Sequence, residues 1–194
     1  MPVAYAQNSG FKKRSHIFMS NILVVLSSAR KGRAADNIYE LVKKDLETRD
    51  GVTIVKGDLK EINLPFFTHE HSPASPDYVP TDPAVIAWGK LVSDADAVVW
   101  LTPEYNHTVS AIQKNAIDSL KAEWEGKPTV IIGYGWSGAS LSLVTLNEVL
   151  PFLKTDLKPN PALLSFMKDI NIDGTSLDEA SVATKIKTAI DEIA

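Results

Sequence analysis

Residues 21–26 read Asn-Ile-Leu-Val-Val-Leu, an unbroken β-rich apolar run rather than an alternating one. Such a run predicts a strand covered on both faces. After a polar turn, Ile38, Leu41, Val42 and Leu46 recur at helical spacing and predict a helix with one face on that strand. Residues 52–55 predict a second strand, closed by Gly57-Asp58. Pro83 opens a helix through Val85, Trp88, Leu91 and Val92, and residues 97–101 form another buried strand. The alternation continues with a helix marked by Ile112, Ala116, Ile117 and Leu120, then a strand over residues 129–132. A helix over 141–153 and a weaker strand near 162–166, flanked by Pro159 and Pro161, come next. Ser176-Leu177-Asp178-Glu179 has the form of a capping box, opening a last helix with Val182, Ile186, Ile190 and Ile193 inward.

Strands and helices in strict alternation predict an α/β fold with a five-stranded, doubly wound parallel sheet. Between Gly57 and Pro83 the chain carries Pro65, Pro73, Pro76 and Pro80. The same alternation resumes beyond it, so this segment is expected to be irregular surface rather than a linker. One domain over residues 20–194 is expected, after a disordered extension over 1–19. That extension has Lys12, Lys13 and Arg14 and no acidic residue, also the pattern of a weak organellar transit peptide.

Composition narrows the chemistry. A chain of 194 residues, 44% hydrophobic, supports one substantial core. With no cysteine, a disulfide framework, a thiol nucleophile, an iron–sulfur cluster and a thiolate zinc site are excluded. Redox chemistry would need a borrowed cofactor. The net charge of -4 comes from interspersed acids and bases without a long basic block, so nucleic acid is not an expected partner. No apolar run approaches the roughly 20 residues of a membrane helix. A cytoplasmic protein without membrane attachment is expected.

In doubly wound sheets the ligand sits beyond the carboxyl ends of the strands, which singles out three loops. Ser27-Ser28-Ala29-Arg30-Lys31-Gly32-Arg33 offers hydroxyls, cations and a helix start, a combination suited to a phosphate. A solvated basic turn is the plainer alternative. Neither a G-x-G-x-x-G nor a Walker loop is present, which favours a mononucleotide. Thr102-Pro103-Glu104-Tyr105-Asn106-His107 would present backbone N–H groups at the sheet edge. Gly133-Tyr134-Gly135-Trp136-Ser137-Gly138 allows close approach to a planar ligand. It also nearly matches a hydrolase nucleophile elbow, but all four histidines precede Ser137, against the order of that fold. His69-Glu70-His71 lacks a third ligand at helical spacing, so no metal site is expected. His107 reads as a loop histidine or a proton donor.

With these loops placed, the chain resembles the NADPH-dependent FMN reductase family. The resemblance rests on the phosphate-type loop 27–33, with Ser27 where the family usually has Gly. It rests also on Thr102-Pro103-Glu104-Tyr105-Asn106-His107 followed by Lys114-Asn115-Ala116-Ile117-Asp118, and on Asp94-Ala95-Asp96-Ala97 and the 133–138 loop. It implies a flavodoxin-like sheet of strand order 2-1-3-4-5. FMN would be held non-covalently, its phosphate near Ser28, Arg30 and Arg33. Its ring would be flanked by Pro103, Glu104, Tyr105 and Asn106 and by Gly135, Trp136, Ser137 and Gly138. The family further implies NADPH or NADH as donor, a quinone, free flavin or azo compound as acceptor, ping-pong turnover, and a homodimer or homotetramer. No side chain need act as nucleophile or base, since the flavin carries the chemistry. Two other functions share these features. One is a flavodoxin-like electron carrier; the other is a redox-responsive interaction protein using Trp88 and the proline-rich segment as contacts.

Overall fold

The computed structural model describes residues 20–194; the extension expected over 1–19 lies outside them. β1 (Ser20–Leu26), β2 (Val52–Asp58), β3 (Ala97–Pro103), β4 (Pro128–Gly135) and β5 (Asp156–Leu157) lie in the order β2-β1-β3-β4-β5. All pair in parallel, and β6 (Ala162–Ser165) also pairs with β4. The expected order holds, but the fifth position is shared. β5 meets β4 at Pro128 and Thr129, and β6 meets it from Ile132 to Gly135. Between them stand Pro159 and Pro161, which have no N–H to give to a ladder.

Helices cover both faces. α1 (Ala35–Leu46) and α6 (Glu179–Ile190) pack on one; α3 (Pro83–Asp94), α4 (Ala111–Asp118) and α5 (Ser140–Phe152) pack on the other. β1 shows why its sequence is uniformly apolar. Ile22, Val24 and Leu26 point into the layer with Ile38, Val42 and Ile186, while Leu23 and Val25 point into the layer with Trp88 and Leu146. All five β1 side chains are fully buried, each worth about 1.5–3 kcal/mol of apolar transfer.

Trp88 is not a partner contact. It is fully buried, its ring lies 6.2 Å from Trp100 and 6.0 Å from Trp124, and its Nε1 donates to Ala116 O at 2.9 Å. The proline-rich segment also has its own anchor. The buried Asn115 donates from Nδ2 to Pro65 O (2.9 Å) and accepts from the Phe67 N–H (3.1 Å), tying the segment onto α4. A short α2 (Leu59–Ile62), capped by Asp58, opens this segment; four residues are too few to leave a periodic trace. The start of α6 also departs from expectation. Asp178, not Ser176, caps it, accepting from Ser181 N at 3.1 Å, because the Ser176 backbone is drawn into a bridge with Ile170. Among the described residues, no helix is long and apolar enough to cross a membrane.

Candidate functional site

The three loops leave the carboxyl ends of β1, β3 and β4 side by side, where β1 gives way to β3 and the strand order reverses. In the first, Ser28 Oγ lies 2.6 Å from Tyr105 Oη, joining the first loop to the second. Arg30 and Lys31 are exposed. Gly32 turns the chain at φ 62°. α1 then starts at Ala35, and its N-cap, Ala34, provides no side-chain cap, leaving first-turn N–H groups for another acceptor.

Arg33 is placed differently from expectation. Its Nε donates to Asp36, its Nη1 to Ser28 O at 2.6 Å and Asp58 Oδ1 at 2.8 Å, and its Nη2 to Asp36 and to Asp58. The five guanidinium N–H donors are thereby committed to the protein. Arg33 holds the turn in shape and has no donor left for a ligand phosphate. Arg30 does not share that burial.

The second and third loops are locked together. Glu104 accepts from Ser137 Oγ at 2.8 Å and from the Leu141 N–H at 3.1 Å. It thus caps α5 from outside, where the helix's own N-cap, Ala139, offers no side-chain oxygen. Ser142 Oγ shares its one proton between Pro103 O (2.9 Å) and Thr108 O (2.8 Å). Tyr105 and Thr108 exchange backbone hydrogen bonds around Asn106 (φ 47°) and His107 (φ 66°), a tight turn of the primed type. Gly138, at φ 65°, lies so near Leu163 that an added Cβ would come within 2.9 Å of the leucine Cβ.

Ser28, Arg30, Arg33, Pro103, Glu104, Tyr105 and Gly135 line one cleft. Asn106, Trp136, Ser137 and Gly138 do not; the first three are exposed beside it. Tyr134, Phe166 and Ile172 also line the cleft. Tyr134 stood inside a quoted motif, but neither Phe166 nor Ile172 carries any sequence signal. Ile172 is brought in by the 171–175 loop, which packs on the start of α1: Asn37 Nδ2 donates to Asp173 O at 2.9 Å. Trp136 stands edge-on to Phe166, with centroids 5.7 Å apart.

The rival chemistries gain nothing here. Ser137 pairs with a carboxylate, not an imidazole, so it lacks the base a nucleophilic serine needs. His69 Nδ1 accepts from the His71 N–H at 3.0 Å, which uses the pair to close its own loop.

A family model described as NADPH-dependent FMN reductase matches residues 20–165. The chain is 33% identical over 164 residues to an NAD(P)H-dependent FMN reductase of Schizosaccharomyces pombe, covering 84% of this chain and 82% of that protein. It is 32% identical over 107 residues to a 2-hydroxy-1,4-benzoquinone reductase of a Burkholderia species, covering 51% of this chain and 58% of the relative. Among solved structures, a flavoenzyme NAD(P)H:(acceptor) oxidoreductase from Paracoccus denitrificans superposes with a TM-score of 0.69. Its identity is 25%, and 90% of this chain and 97% of that one are covered.

Proposed function

The chain belongs to the NADPH-dependent FMN reductase family, and from that premise we propose that it holds FMN in this cleft and passes electrons from NAD(P)H to a small acceptor. The acceptor class is a quinone, free flavin or azo compound, and donor and acceptor use the site in turn, in a ping-pong cycle. The observation that carries the reading is the meeting of three turns on one cleft whose end combines an uncapped helix start, the Ser28–Tyr105 hydroxyl pair and the exposed Arg30. Those groups fit a phosphate: N–H donors, a hydroxyl and a free guanidinium converge without a competing carboxylate pair, because Arg33 engages Asp36 and Asp58.

FMN, when bound, supplies the two-electron chemistry. The chain's own groups hold and orient it. Ser28, Arg30 and the first turn of α1 fix the phosphate, and the Pro103–Tyr105 and Gly135 backbones wall the ring. Glu104 keeps those two walls at a fixed distance through Ser137 and Leu141. Trp136 and Phe166 flank the cleft on its third-loop side, where a planar donor or acceptor has an aromatic surface to lie against. A homodimer or homotetramer acting in the cytoplasm belongs to the same proposal.

Steady-state oxidation of NADPH with p-benzoquinone as acceptor tests the enzyme reading. Parallel double-reciprocal lines are expected; intersecting lines would overturn the alternating use of one site. A flavin-loaded protein that consumes no NADPH would instead be an electron carrier. For the phosphate end, Arg30→Ala is expected to weaken FMN binding about tenfold, the worth of one charge-assisted hydrogen bond. The melting temperature of the flavin-free protein should not change. Flavin fluorescence titration reads this, and an unaltered affinity would remove Arg30 from the site.

A further inference from the structure

Tyr134 sits at the carboxyl end of β4, in register with Pro103 on one side and Leu164 on the other. Its ring packs edge-on to Phe166, and the residue is 4% exposed. A buried phenol normally finds a hydrogen-bond partner. Tyr134 Oη has none among the described residues. The nearby Ser28 Oγ is close enough to act on the phenol but makes no hydrogen bond to it, being turned to Tyr105 at 2.6 Å, and the donors of Arg33 are committed to Asp36, Asp58 and Ser28 O. Tyr134 nonetheless lines the cleft, alongside Ser28, Arg30 and Ala34 at the start of α1.

We propose that Tyr134 is a further ligand-binding residue, its hydroxyl donating a hydrogen bond to the phosphate of the mononucleotide from the floor of the cleft. The inference rests on the FMN reading and adds a donor to it. Burial, reinforced by the neighbouring Tyr105, pushes the phenol well above its ordinary pKa, against the opposing pull of Ser28 and Arg33. The hydroxyl therefore carries its proton at neutral pH and can serve as a donor to an acceptor placed in the cleft. A phosphate oxygen is the acceptor that the surrounding donors select.

An unmet buried donor also carries a cost that the ligand relieves. Removing it should therefore affect the free and loaded protein in opposite directions. Tyr134→Phe keeps the ring and its packing, so the flavin-free variant is expected to melt at the same temperature as the wild type or higher. Its affinity for FMN should fall about tenfold while its affinity for riboflavin, which has no phosphate, stays the same. Fluorescence titration of flavin-free protein with each flavin, together with thermal melting, gives all three quantities. An unchanged FMN-to-riboflavin affinity ratio would overturn the proposal, whether both affinities held or both fell alongside a lower melting temperature. Wild-type protein that takes up no FMN would refute the parent reading instead, so the two failures are distinct.

Discussion

Arg33→Ala is expected to lower the free energy of unfolding by about 3 kcal/mol, the loss that follows when one partner of a buried ion pair is removed and the other is left behind. The Arg33 and Asp58 side chains are only 6% and 11% exposed, and among the described residues Asp58 makes no salt bridge to another cation. The guanidinium also closes the phosphate turn by donating to Ser28 O. Stability and FMN retention should therefore fall together, in contrast to Arg30→Ala, which should affect retention alone. Urea unfolding of both variants separates the two roles; equal stability of Arg33→Ala and wild type would refute the clamp.

The same pair shapes the acid limb of stability. Burial by itself would raise the Asp58 pKa, but the hydrogen bonds and charge of Arg33 outweigh it and hold the carboxyl below its ordinary value. A carboxyl depressed on folding stabilises the protein fully above its unfolded pKa, near 3.9. That contribution is lost as pH falls through the still lower folded value. Asp58→Asn should accordingly be less stable at neutral pH and lose less of its stability on acidification below about pH 4.

Gly174→Ala is expected to be the next most disruptive change, through the backbone rather than through a lost ion pair. A Cβ at this position, where φ is 90°, would stand 2.3 Å from Ala34 O and 2.9 Å from its carbonyl carbon. Both obstacles are backbone atoms at the start of α1, so neither can swing aside. The 171–175 loop must lift, taking Ile172 from the cleft and breaking the Asn37 contact to Asp173. A loss of about 2 kcal/mol is expected from the strained backbone, together with faster FMN dissociation. Gly32→Ala is the control: φ is 62° there but nothing lies within 4 Å of the added Cβ. It should cost only about 1 kcal/mol, the left-handed penalty alone. Comparable losses in the two variants would show that the 171–175 loop does not brace the phosphate turn.

The fold was legible because burial on both faces leaves a plain record. Leu23 and Ile22 face opposite layers and both must be apolar, so β1 and β3 announce themselves as runs. The three loops were legible for a different reason: they are short and each follows such a run, so their place at the sheet's edge follows from topology. What stayed hidden depends on long-range geometry. Arg33 reads as a phosphate ligand until Asp58, 25 positions away, is seen to claim it. Glu104 reads as a ring neighbour, yet its carboxylate is spent on α5. Ser176 matches a capping box, but pairing with Ile170 withdraws it and leaves the cap to Asp178. Trp88 could be read from sequence either as a core residue of its helix or as a contact for a partner, and the structure decides for the core, where three indoles from separate elements close over one another. Tyr134 was hidden most thoroughly, because only its surroundings reveal that its hydroxyl lacks a partner.

The visible absorption of the purified protein, recorded before and after anaerobic addition of NADPH, probes the cleft and its chemistry at once. A flavin band that is present on isolation, or appears after incubation with FMN, and then bleaches with NADPH is the expected outcome. A folded protein that stays colourless after incubation with FMN would contradict the assignment of the three loops to a flavin site.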